Sequence, residues 1–263
     1  MEAARICRLI VAVGLVLPLA LGSRLEAEDA RTRRVRELVA AHFVGGPGAG
    51  CDGSCSLEDL MHRLDRHSRL IVGRAPDLDF IRGLRADEQS PEVTWDSSGG
   101  ARIRLPAFGR RTAHEFREAL NRAIRSHPRG LTIDLRGNPG GCLETALEIA
   151  GCFVPRGEPM LEVAGRSAVR RFESAGPRCI PRLPVDVLVD ERTASSAEVL
   201  TWLLKRYADA RIRGRCTAGK GTVQEVFRVD TATRLVLTTA TYRLPDGSSL
   251  EGRGIEPDDR GVD

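Results

Sequence analysis

One stretch of the chain fixes its class before anything else is read. Leu131 to Leu135 is a short apolar strand, Arg136-Gly137-Asn138-Pro139-Gly140-Gly141 is a tight glycine-rich turn, and Leu143 to Phe153 has a helical pattern. A buried strand that feeds a helix through so few residues is a βαβ unit, and such units need a sheet covered by helices. The rest of the second half agrees. Ala101 to Leu105 reads as a strand and Thr112 to about Ser126 as a helix, with Thr112 and Glu115 as a capping box and Phe116, Leu120 and Ile124 along one face. Val185 to Val189 is a compact buried strand, Ser195 to Tyr207 a helix, and Thr222 to Val229 with Leu235 to Tyr242 a β-hairpin. The expected class is α/β, without internal repeats.

The first half is organised differently. Residues 1–22 carry Arg5 and Arg8, then the apolar run Leu9 to Leu21, then small residues, the pattern of a secretory signal peptide. The run is shorter than the roughly 20 residues needed to span a bilayer, so contact with a membrane is expected only through an uncleaved signal. Residues 23–98 read as a small helical arm and linker. Ala30 to Phe43 is an arginine-rich amphipathic helix ended by Gly45-Gly46-Pro47-Gly48, Ser56 to Arg66 is a second short helix, and Ile71 to Gly100 is a linker with one strand. The core is placed at 99–263.

Composition removes some functions. The 40 basic and 36 acidic residues are dispersed and aromatics make up 4%, so neither a basic footprint nor a stacking surface for nucleic acid is present. Cys7 would leave with the signal. The six remaining cysteines, Cys51, Cys55, Cys142, Cys152, Cys179 and Cys216, are disulfide candidates in an exported chain, and the short Cys51–Cys55 spacing suggests a local closure. A zinc site is the rival reading, but no second close cysteine pair or histidine cluster completes a tetrahedral set.

Of the 40 basic residues only Lys205 and Lys220 are lysines; the others are arginines. Arginine cannot release its proton in a protein, whereas a buried lysine can become a neutral base. Lys220 lies in Gly219-Lys220-Gly221-Thr222-Val223-Gln224, and Ser195 lies upstream in Thr193-Ala194-Ser195-Ser196-Ala197-Glu198, at the start of a helix whose free N–H groups favour an oxyanion. Ser195-x-x-Glu198 also reads as an ordinary capping box. The Asp134–Gly141 turn exposes amides, but it has neither P-loop spacing nor Gly-x-Gly-x-x-Gly. No Gly-x-Ser-x-Gly elbow occurs. None of His42, His62, His67, His114 and His127 is well placed as a base, and His67 is read as structural.

These three segments, in this order and spacing, resemble the carboxyl-terminal processing (tail-specific) serine proteases. The resemblance runs from Ile103-Arg104-Leu105-Pro106-Ala107-Phe108 to Gly254-Ile255-Glu256-Pro257-Asp258, and Leu64-Asp65-Arg66-His67-Ser68 is similar to a further upstream motif of that family. It implies a ClpP/crotonase-like core. It also implies Ser195 as nucleophile, Lys220 as general base, Gln224 as the residue orienting the lysine, and an oxyanion hole of the amides of Ser196 and Gly140 or Gly141, with no cofactor. Polypeptides would be the substrates. The chain departs from the family where a PDZ domain is usual, since the interval of about 30 residues before the core is too short for one. Tail recognition is therefore not carried over, and a separate adaptor or activating protein and a homo-oligomer stay open as partners. Ala218 replaces an aromatic and Cys216 a proline, and Cys142 and Cys216 are expected to pair across two active-site loops. The rival functions are a peptide-binding scaffold of the same fold and a crotonase-like acyl-CoA enzyme; export argues against the second.

Overall fold

The computed structural model describes residues 17–46, 55–73, 90–176, 179–180 and 183–260, with side chains from residue 30 onward. Two sheets organise it. The first has the order β2 (Glu92–Trp95), β3 (Ala101–Arg104), β4 (Leu131–Asp134), β7 (Val185–Val189), β8 (Arg211–Gly214). Within it β3, β4, β7 and β8 are parallel and β2 is an antiparallel edge. Parallel strands must be joined by crossovers, and the three helices α3 (Thr112–Arg125), α4 (Leu143–Ala150) and α5 (Ser196–Ala208) lie on those connections. Ile103, Ile133, Val187 and Ile212 are fully buried between the sheet and Phe116, Leu120, Ile149, Leu200 and Leu203 of the helices. The expected α/β core is thus present.

The second sheet is antiparallel, in the order β1 (Arg69–Val72), β10 (Thr233–Arg243), β5 (Pro159–Gly165), β6 (Val169–Glu173), with β9 (Thr222–Arg228) also paired to β10. The expected hairpin at 222–242 is β9–β10. The β5–β6 hairpin and β8 have no counterpart in the sequence reading, and the linker strand is two strands, β1 and β2.

The arm is joined to the core by its own apolar cluster. Val35, Leu38 and Val39 of α1 (Leu17–His42) and the following Phe43 pack with Leu60 of α2 (Leu57–His62), Leu64, and Leu235 and Leu237 of β10. α1 begins earlier than the expected residue 30, and α2 ends at His62 rather than Arg66. No helix among the described residues is long and apolar enough to cross a membrane.

Two local expectations are corrected. Thr112 is inside α3 rather than its cap: Arg111 in an αR conformation occupies that place, and the Thr112 hydroxyl accepts the Gly109 N–H at 3.0 Å. Cys142 and Cys216 do not pair; both are thiols, as are Cys152 and Cys179. Their sulfurs point elsewhere, Cys142 Sγ towards Glu144 Oε2 and Cys216 Sγ towards the carbonyls of Thr217 and Arg253, each at 3.6 Å. Cys55 is in a disulfide whose partner lies outside the described residues, as does Cys51.

Candidate active site

The parallel register places the carboxyl ends of β4 and β7 side by side, with Asp134 opposite Leu188. Loops at that end of an open sheet converge on one crevice. Here they are residues 135–141 and 190–195, and buried polar side chains tie one to the other. Asp190 Oδ1 accepts the N–H groups of Gly137 (2.9 Å), Arg192 (3.0 Å) and Thr193 (3.0 Å), while the Thr193 hydroxyl donates to Leu135 O at 2.9 Å. Burial works to raise the Asp190 pKa, but those N–H groups outweigh it and hold the carboxylate below its usual range. Asn138, fully buried, donates its Nδ2 to Leu105 O, and its backbone carbonyl accepts the Ala194 N–H. Asp134 receives a two-pronged contact from Arg136, Nε at 3.0 Å and Nη2 at 2.8 Å, which raises the guanidinium pKa.

Ser195 stands at the junction of this frame and α5. Its φ of 57° and ψ of −124° lie where only glycine is at ease, a strain of about 1–3 kcal/mol that the surroundings must enforce. The enforcing group is Glu198, a fully buried carboxylate. Its Oε2 accepts Ser195 N–H and Lys220 N–H, both at 2.8 Å; its Oε1 accepts Gly219 N–H at 2.8 Å and the Thr217 hydroxyl at 2.5 Å. A buried charge is tolerated only when it is satisfied in this way. The capping pattern at Ser195 therefore has its Glu half in place, but that carboxylate also captures the lysine loop.

Lys220 is half-buried, and its Nζ makes no hydrogen bond or ion pair among the described residues. Desolvation, assisted by the Arg69 charge, lowers its pKa against the opposing pull of Glu251 and Glu198. Gly219 is required beside it: φ is +69°, and a Cβ there would stand 2.9 Å from Gly254 N. Gln224, four residues on in β9, donates its amide to the hydroxyls of Thr222 (2.8 Å) and Thr238 (3.4 Å) rather than to the lysine.

Of the two glycines proposed for an oxyanion hole, Gly140 has its N–H committed to Asn138 Oδ1 at 2.8 Å. Gly140 does press on the serine, since a Cβ on it would stand 3.0 Å from Ser195 Cβ. The bridge to Phe108 is made by Gly140 O and Cys142 N–H, which turns the Gly141 N–H away and leaves it unbonded among the described residues. Ser196 N–H, in the first turn of α5, is likewise unbonded.

Glu198, Asn138 and Asp190 were not picked out as site residues by sequence reasoning, and neither was Tyr242. Burial pushes the pKa of the buried Tyr242 hydroxyl up to about 12, an effect the nearby Ser195 side chain partly offsets. Only Glu198 had a signal, its capping spacing from Ser195.

The chain matches the profile of Peptidase family S41 over residues 100–260. Carboxy-terminal processing protease CtpB of Bacillus subtilis (strain 168) is 32% identical over 155 residues, 59% of this chain and 32% of that protein. The chain thus spans about a third of the length of this curated relative. Among solved structures, a photosystem II D1 C-terminal processing protease aligns with a TM-score of 0.56 at 23% identity, covering 74% of this chain and 48% of the other. A lipoprotein from Streptococcus agalactiae aligns with a TM-score of 0.66 at 18% identity, covering 89% and 92%, a likeness of fold. The chain belongs to peptidase family S41.

Proposed function

We propose that the chain is an exported serine endopeptidase that cuts unfolded or extended polypeptides, in the manner of C-terminal processing, through a Ser195–Lys220 dyad. The observation that carries this reading is the Glu198 carboxylate, which holds the backbones of the serine and the lysine on one buried group. Among the described residues the Lys220 side chain, of lowered pKa, has no hydrogen-bond partner, and the Ser196 and Gly141 N–H groups are unbonded.

In this scheme neutral Lys220 removes the Ser195 proton as Oγ attacks the substrate carbonyl. The oxyanion forms against Ser196 N–H and Gly141 N–H, each such donor being worth about 2.7–4 kcal/mol in the barrier. Lys220 then protonates the leaving amine, and the C–N bond breaks to leave an ester on Ser195. Water, deprotonated by the same lysine, attacks that ester and releases a product with a new C-terminus. In this scheme Gln224, its amide held by the two threonines, has its carbonyl oxygen left to accept from the protonated lysine, a contact not made among the described residues of this structure. No cofactor enters.

The test is hydrolysis of a disordered test polypeptide together with labelling by a serine-directed fluorophosphonate. Wild type should do both, and Ser195→Ala neither. Hydrolysis that survives Ser195→Ala would overturn the assignment.

A further inference from the structure

The arm also reaches the lysine loop, at groups that Glu198 does not hold. Arg66 Nη2 donates to Gly219 O at 3.2 Å and to Glu251 Oε1 at 2.9 Å, and His67 Nε2 lies 3.1 Å from that same Oε1. Arg66 Nε also reaches His67 Nε2 at 3.1 Å, where the ring nitrogen accepts; with its proton on Nε2 the ring instead donates to the Glu251 carboxylate. The other oxygen, Glu251 Oε2, accepts Gly221 N–H at 2.9 Å. Both neighbours of Lys220 are therefore fixed by groups from the arm or through them. The same segment also reaches β10: Asp65 Oδ1 accepts the Thr238 hydroxyl at 3.0 Å, Ser68 Oγ accepts Thr238 N–H at 3.1 Å, and the Thr238 hydroxyl in turn contacts Gln224.

We propose that the arm is part of the catalytic apparatus, with Arg66, His67 and Glu251 forming a clamp on Gly219–Lys220–Gly221 and Glu251 acting as a positioning residue for Lys220. This rests on the dyad reading above. The charged groups acting on Lys220 are Arg69 from β1, Glu198 from α5 and Glu251, and Glu251 is itself faced by Arg66 and His67. Glu251 favours the protonated lysine, so removing its charge deepens the neutral range. A purely structural role for the clamp would change stability and leave the protonation of Lys220 where it is.

The experiment measures the rate of Ser195 labelling by a fluorophosphonate against pH in the full chain. Wild type is compared with Glu251→Gln, His67→Ala, His67→Gln and Ser195→Ala, with thermal unfolding of each. The expected result for Glu251→Gln is an acid limb moved down by about half a pH unit, the effect of one partly exposed charge. His67→Ala should slow labelling at the plateau several-fold at unchanged thermal stability, and His67→Gln, which keeps an N–H donor, should restore most of it. If Glu251→Gln does not fold, the His67 pair decides alone. An unmoved limb in a folded Glu251→Gln overturns the inference, as does equal labelling by His67→Ala and wild type. Wild type that is not labelled overturns the dyad reading and this inference with it.

Discussion

A serine held at φ 57° with its N–H on a buried carboxylate is a residue whose conformation has been set by its neighbours. Glu198 is the neighbour that matters most, because four donors from two loops meet on it. Glu198→Gln keeps the shape but replaces an acceptor oxygen with an amide that cannot accept from two N–H groups. The serine and lysine backbones should then separate by up to about 1 Å, and kcat should fall on the order of 10²-fold, as positional errors of that size do. Full activity in a folded Glu198→Gln would refute this. The protonation of Lys220 makes a second residue-scale prediction. The base form is the neutral one, so activity must rise with pH through the lysine pKa. Because burial places that pKa below the ordinary value of about 10.4, the rise should fall at lower pH than for a free lysine. A profile of kcat/KM that fell with increasing pH over that range would have the wrong sign for a lysine base.

Among the elements, the arm and the segment after α4 are where packing can be separated from chemistry. Leu60 is fully buried between α1 and β10, outside the main core. Leu60→Ala should lower stability by about 2–5 kcal/mol and loosen the motif at Asp65–Ser68, so denaturant unfolding and turnover should fall together. Unchanged turnover in the destabilised but folded variant would detach the arm from catalysis. The cysteines give a separate test. Cys179 N–H donates to Cys152 O at 2.9 Å, and both side chains line a cavity of about 420 Å³ with Leu147, Met160 and Phe172. Desolvation, with Cys179 beside it, pushes the Cys152 thiol up to about 12. A non-reduced digest of oxidised protein should contain a Cys152–Cys179 bridge; Cys142 joined to Cys216 would contradict the structure.

At the scale of the whole molecule, the sequence was legible where one local pattern dictates one structure. Strand, glycine turn and helix at 131–153 could only be a parallel-sheet unit, and Lys220 was visible because lysine is so rare here. What stayed hidden depends on contacts between distant residues. Glu198 looked like a cap because its second role needs Lys220 brought alongside, which β7, α5 and β8 accomplish. Gly140 and Gly141 were equivalent in sequence, and only Asn138, by taking the first N–H, separates them. Tyr242 reads as one more β residue until the fold lays it on Ser195. The β5–β6 hairpin leaves little trace in the sequence because β6, Val169–Glu173, is a mostly exposed edge with three charges in five residues. The central claim joins these parts into one proteolytic centre. It is tested most directly by mass spectrometry of new C-termini after incubating exported proteins with wild type, Ser195→Ala and Lys220→Arg. New C-termini with wild type alone are the expected result, since Lys220→Arg keeps the charge and removes only the capacity to deprotonate. The same termini appearing with Lys220→Arg would contradict the dyad.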